Sequence, residues 1–222
     1  YVDYGDDGGH SWSSHETVET AWIEGWANFY QSPVRGYWGY PNPEQYVESS
    51  WLVSLESDAH WPGQNMEDVE GAVAAILWDI FDSNSDSGDT ISEGMGNIWY
   101  AFESYDPPND HNHPWTIHEF WDGWFGQSGA SNQQRWAVFY EHGVNKDSTA
   151  PGNPTSATET HGVQSGVAQS NVNDPNFTWS GASDSTSGVN GYYYYWGTDS
   201  NGTSSNYTTS TGYDPPAVSE GT

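Results

Sequence analysis

The sequence predicts an α+β protein of two dissimilar regions, a mainly helical acidic one followed by an incomplete β-sandwich. Three observations carry that expectation. Apolar residues recur at helical spacing before residue 148. Short polar-aromatic runs, broken by Pro and Gly turn signals, follow from Gln164 onward. Of the 31 acidic residues, 25 lie before position 148, so the acidity belongs to the first region.

In the first region, Val18, Ala21, Trp22, Gly25, Trp26 and Phe29 define one helical stripe and predict an amphipathic helix over 16–30. Tyr46 to Leu55 holds β-formers without such a stripe and reads as extended. The segment 67–81 is the most strongly helical, with Glu67, Asp68 and Glu70 expected in a first turn where the helix dipole favours acids. Less marked helices are expected at 95–104, 116–125 and 132–142. Small turn-forming residues from Asp147 to Thr155 then mark a linker, so the domains read as 1–147, a linker at 148–160, and 161–222. In the last region Tyr192 to Trp196 reads as a half-buried strand with alternate rings pointing inward, or else as an aromatic platform for sugars.

Composition narrows the function classes. The chain has 222 residues and no cysteine, which removes disulfides, thiolate metal sites and Cys nucleophiles. Against 31 acids stand three basic residues, Arg35, Arg135 and Lys146, and the formal charge of −28 repels phosphate backbones. Nucleic acid is therefore not an expected partner. A high-salt habitat, bound divalent cations or solubility by self-repulsion would each explain such acidity. No stretch approaches the roughly 18 consecutive apolar residues of a spanning helix. Without an initiating Met, Tyr1 reads as a processed end or a cut. The Asn-x-Ser/Thr sequons at Asn176, Asn201 and Asn206 all lie in the second region, as on an extracellular glycosylated surface or by chance in a Ser/Thr-rich tract.

One stretch carries a family resemblance. Ala21-Trp22-Ile23-Glu24-Gly25-Trp26-Ala27 resembles the W-x-x-E-G-x-A helix of gluzincin metallopeptidases, and more broadly the chain is similar to secreted archaeal and bacterial proteins that join such a domain to PKD or immunoglobulin-like modules. Gly8-Gly9-His10-Ser11-Trp12, Glu70-Gly71-Ala72-Val73 with Leu77-Trp78-Asp79, Thr116 to Trp121, and Tyr140 to Val144 extend the likeness over most of 8–151. The resemblance implies a zincin-like subdomain in which Glu24 is a zinc ligand. A catalytic zinc takes three protein ligands, and the HExxH helix that supplies two histidines and the general base is absent from this chain. His15-Glu16-Thr17-Val18-Glu19 is the nearest string, and it runs into the same helix as Glu24. Glu24 thus reads as a relic or partial zinc ligand, and zinc is not expected from this chain alone. No catalytic residue is assigned, and no Gly-x-Ser-x-Gly elbow is present.

Other oxygen-rich segments suggest calcium. In Asp82-Ser83-Asn84-Ser85-Asp86-Ser87-Gly88-Asp89-Thr90-Ile91-Ser92-Glu93, the residues Asp82, Asn84, Asp86 and Glu93 match EF-hand positions 1, 3, 5 and 12, although the glycine falls one place late. The same composition also suits a solvated turn. Asp3, Asp6 and Asp7 form a lesser cluster, and Asp110-His111-Asn112-His113 a His-rich loop read as surface.

The segment from Asp184 through Tyr192 to Pro216 resembles bacterial immunoglobulin- or fibronectin-like modules. Residues 161–222 fall short of the roughly 100 residues of such a sandwich. The resemblance implies an incomplete Ig-like β-sandwich; its open edge is expected to be completed by strand addition from another copy, with Tyr1-Val2-Asp3-Tyr4 a candidate donor. Three readings follow: an extracellular or cell-surface, non-catalytic structural subunit that polymerises with copies of itself into filaments; a processed fragment of a secreted zinc metallopeptidase; or a calcium-stabilised adhesion or carbohydrate-binding module.

Overall fold

A computed structural model describes residues 11–48, 50–84, 89–104, 114–125, 131–164, 173–199 and 201–218. The chain divides into two compact units, 1–147 and 148–222. It is an α+β protein, with a helical N-terminal region followed by small open antiparallel sheets.

Unit 1 is built on helix α2, Glu70–Phe81, which is buried on every side from Glu70 to Ile80. A helix apolar all round belongs in a core, and each fully buried Val73, Ile76, Leu77 or Ile80 contributes roughly 1.5–3 kcal/mol. Helix α1, Val18–Tyr37, packs along it through Ala21, Trp22, Gly25 and Phe29. The approach is close: a Cβ on Gly25 would lie 2.5 Å from Val73 Cβ and 2.7 Å from the Glu70 carbonyl oxygen. Gly71 plays the matching part on α2, where a Cβ would meet the Trp12 carbonyl at 2.5 Å. Helices α3 (Gly94–Ser104), α4 (Ile117–Phe125) and α5 (Asn132–Glu141) close the core with stacked rings such as Trp26 on Phe102 at 4.7 Å and Trp121 on Phe125 at 4.3 Å.

Two helix boundaries differ from the expected ones. Thr17 caps α1 by accepting the Thr20 N–H, but the helix runs past Tyr30 and through Pro33 to Tyr37. Proline forfeits one backbone bond there. The last turn is held from outside, since Arg35 reaches the Pro43 carbonyl and Tyr40 N–H returns to the Arg35 carbonyl. Helix α2, in turn, starts at Glu70 rather than Glu67. The backbone just before it is tied to the segment ahead of α1, with Glu16 N–H on the Asp68 carbonyl. Glu67 and Asp68 consequently pair with His118 and His15, both at 2.7 Å, instead of sitting in a first helical turn. The segment read as extended forms an antiparallel hairpin, β1 (Gln45–Glu48) with β2 (Trp51–Ser54), from Gln45 opposite Ser54 to Glu48 opposite Trp51.

Unit 2 holds a three-stranded sheet in the order β3 (Ser156–Glu159), β4 (Phe177–Ser180), β7 (Gly212–Tyr213), and a two-stranded sheet, β5 (Tyr192–Tyr194) with β6 (Asn206–Thr208). Strand β3 lies within the stretch whose composition reads as linker; its small side chains suffice because β4 supplies the ladder and Ser180 Oγ meets Ser156 Oγ at 2.7 Å. Aromatic pairs join the two sheets: Trp179 with Tyr192 at 5.5 Å, and Tyr194 with Tyr213 at 4.3 Å. Rings alternate along β5, where Tyr192 and Tyr194 are half-buried and Tyr193 is exposed against Tyr207.

Candidate functional site

The chemistry-bearing side chains of unit 1 converge at the C-terminal end of α2. Asp79 and Asp82, three residues apart on one helical face, meet Glu56 from the turn after β2. Trp78 Nε1 donates to Glu56 Oε2 at 2.8 Å, and the Asn84 side-chain amide donates to Glu56 Oε1. On the inner side His142, the C-cap of α5, lies buried, with Nε2 donating to Asp79 Oδ2 at 2.7 Å and Nδ1 to the Ala59 carbonyl.

The electrostatics follow from this crowding. Burial pushes Asp82 up to about 8, and the negative charges of Glu56, Asp79 and Asp89 push in the same direction, while the Asn84 backbone N–H opposes them. Oδ1 of Asp82 is buried and accepts no hydrogen bond among the described residues. For His142, burial alone would depress the imidazolium. The Asp79 charge and hydrogen bond, the Ala59 carbonyl and the Glu141 charge outweigh it and hold the pKa above the ordinary value. With both ring nitrogens committed inside the core, His142 has no position from which to take a proton from a substrate. The Asp79–His142 pair is therefore a structural ion pair, fixing the end of α5 against α2.

Of the expected calcium ligands, Asp82, Asn84 and Glu93 fall among the described residues. Asp82 and Asn84 are near each other and near Glu56, but the Glu93 carboxylate is engaged elsewhere. Its Oε2 accepts from Trp124 Nε1 at 2.7 Å, and its Oε1 lies 3.6 Å from Arg135 Nη2. Arg135 is itself buried, 5.2 Å from the centre of the Trp124 ring, with Nη1 on the Phe125 carbonyl. Arg135 and Trp124 thus compete with any metal for Glu93. Asp86 lies outside the described residues. Among the described residues, no group of three or more His, Asp or Glu side chains is placed to hold a metal ion.

Glu24 lies half-buried on α1, beside Gly25. Of the motif that carries the gluzincin resemblance, the glycine has the clearest structural task, the close contact between α1 and α2. His15 and Glu16 sit ahead of the helix, with His15 Nδ1 on Asp68. The Asp3, Asp6 and Asp7 cluster, the candidate donor Tyr1 to Tyr4 and the His111 to His113 loop all lie outside the described residues.

In unit 2 the sequon residues Asn201 and Asn206 are exposed. Asn176 is half-buried, with its side-chain oxygen accepting from Thr160 Oγ1 at 3.2 Å. Beside β5 lies an open groove of about 540 Å³ lined by Pro151, Pro154, Trp179, Tyr192 and Tyr194. Two features that matter were missed from the sequence, Asp79 with His142 as a buried pair and Arg135 as a buried cation. A signal for Arg135 existed, since a lone Arg amid Trp- and Phe-rich helices of an acidic chain has few places to go but against an acid. Neither a family model, nor a curated protein, nor a solved structure matches the chain.

Proposed function

We propose that the protein is an extracellular structural subunit that assembles with copies of itself through the open sheet edge of unit 2. The supporting observation is strand β3, which pairs with β4 on one side only among the described residues. Thr160 N–H bonds to the Asn176 carbonyl, so the alternation of an antiparallel ladder directs the backbone groups of Ala157 and Glu159 away from β4. An unpaired row of this kind is a template for strand addition. The immunoglobulin-like reading of unit 2 agrees with two small sheets joined by aromatic pairs, and exposed sequons at Asn201 and Asn206 support an extracellular setting.

The test is filament formation by the full chain, followed by light scattering and electron microscopy. Ala157→Pro removes an outward N–H without removing a ladder bond to β4, and is expected to abolish most of the scattering signal while leaving the circular dichroism spectrum unchanged. Filaments of undiminished length in that variant would overturn the edge assignment. A sugar-binding module is a second reading, favoured by the Trp179–Tyr192–Tyr194 groove. It requires Trp179→Ala to weaken retention on polysaccharide without altering assembly.

A further inference from the structure

Unit 1 carries a large apolar surface that its own core does not use. Tyr37, Trp38 and Tyr40 at the end of α1, with Val47 and Leu52 on the hairpin, are each between 59% and 84% exposed. The two elements adjoin: Arg35 from α1 bonds to the Pro43 carbonyl, and Arg35, Val47 and Leu52 line one shallow groove. The hairpin is two-faced by design of its alternation. Tyr46 and its partner Val53 are buried, whereas Val47 and its partner Leu52 point out side by side. With aromatic side chains offering roughly 150–250 Å² each, the patch presents on the order of 700 Å². That is close to the roughly 800 Å² each partner contributes to a stable interface, and larger than the scattered apolar residues normal on a surface.

Charge selects the occupant. Residues 25–43 contain no Asp or Glu, in a chain with 31 acids, and they include Arg35, one of its three cations. Two copies of a chain of formal charge −28 repel each other over most of their surface, and the acid-free α1 end of the patch, next to a hairpin that carries only Glu48 in β1 and Glu44 just before it, is where that repulsion is least. A strongly basic partner would instead select the carboxylate-rich faces. We infer that this patch is the contact face for the same patch on a second copy of the chain, related by a two-fold axis. An isologous contact of this kind closes as a dimer. It uses unit 1 and is independent of the β3 edge, so together the two contacts would link dimers into longer assemblies.

Sedimentation of the full chain carrying Ala157→Pro isolates the patch from strand addition. That chain is expected to form a dimer at micromolar concentration, tightened by added salt because screening relieves the repulsion. Adding Trp38→Ser with Leu52→Lys should weaken the dimer at least tenfold, as truncation of buried interface anchors does. Val47→Lys alone, on the opposite strand of the hairpin, should act in the same direction, and an unchanged melting curve establishes that each variant is folded. A monomer in the Ala157→Pro chain would overturn the inference, as would a dimer indifferent to these substitutions. A monomer that binds neutral lipid vesicles through Trp38 would overturn it in favour of a membrane surface.

Discussion

The two units are stabilised in different ways. Unit 1 buries Trp, Phe, Ile, Leu and Val side chains around α2, and every hydrophobic residue of the buried core lies between Trp12 and Val144. Unit 2, among its described residues, contributes none. Its order comes from half-buried aromatic pairs and from carboxylates that collect backbone N–H groups. Glu159 accepts from His161, Gly162, Val163 and Asn176, and Asp184 from Thr186, Ser187 and Gly188. The comparison teaches that unit 1 has the means to stand on burial, whereas unit 2 has surface left to bury. Small sheets without an apolar core are marginal in water, and a neighbour's strand would supply what unit 2 lacks.

The largest expected effect in breaking this contrast is His142→Ala. It leaves the Asp79 carboxylate in the core without its partner, which costs about 3–5 kcal/mol. Chemical denaturation should show the loss in the main unfolding transition, while near-ultraviolet signals of Tyr192 to Tyr194 hold. An effect below about 1 kcal/mol would mean that the pair is not the buried anchor described above.

Gly25→Ala comes next, and two opposed terms decide its sign. Alanine improves helix propensity by about 1 kcal/mol, but its Cβ would enter the space of Val73 and the Glu70 carbonyl, and overpacking costs about 1–3 kcal/mol. The nearest atoms include backbone, which yields least, so a net loss of about 1–2 kcal/mol is expected by thermal melting. A stabilised variant would refute the close α1–α2 contact.

The smallest effects are the most discriminating, because pH should act on the two units with opposite sign. In unit 1, Asp82 keeps its proton up to about 8 when folded and loses it near 3.8 when unfolded, so stability falls as pH rises across that window. His142, held above its ordinary value, adds to the fall as pH rises through its folded pKa. In unit 2, desolvation would raise Glu159, but its four N–H donors more than offset it. The Thr186 N–H, followed by those of Gly188 and Ser187, lowers Asp184 against desolvation. Their contribution is present above the ordinary carboxylate range and is lost as pH falls through the folded pKa values. Asp82→Asn should lessen the slope of the unit 1 profile to the part that His142 contributes and gain roughly 1–2 kcal/mol at pH 8, a fraction of the full displacement because Asp82 is half-buried. Glu159→Gln should reduce the acid-side loss in unit 2 to the part that Asp184 contributes and leave the other profile untouched. Profiles of the same sign in both units would erase the contrast.

Local features were legible in the sequence where one period or one cap decides them. The helices at 94–104, 117–125 and 132–141 fall within a residue or two of expectation, because their apolar stripes and the Ser131 capping box are local signals. The boundaries that moved are those held from a distance, α1 by Pro43 and the start of α2 by the segment before α1. The candidate site was half legible for the same reason. Asp82 and Asn84 share a loop, and spacing brings them together. Glu56, Asp79 and His142 are brought near Asp82 only by packing, and Glu93 is taken from it by Arg135 and Trp124.

By itself, the sequence determined the α+β order, the change of character near residue 148, the acidity and the helices, since composition and periodicity act through neighbouring residues. Tertiary structure alone decided which acids crowd at the end of α2, where the lone buried arginine goes, and which aromatics remain outside. Those outcomes depend on distances between residues far apart in the chain, and no local pattern encodes them.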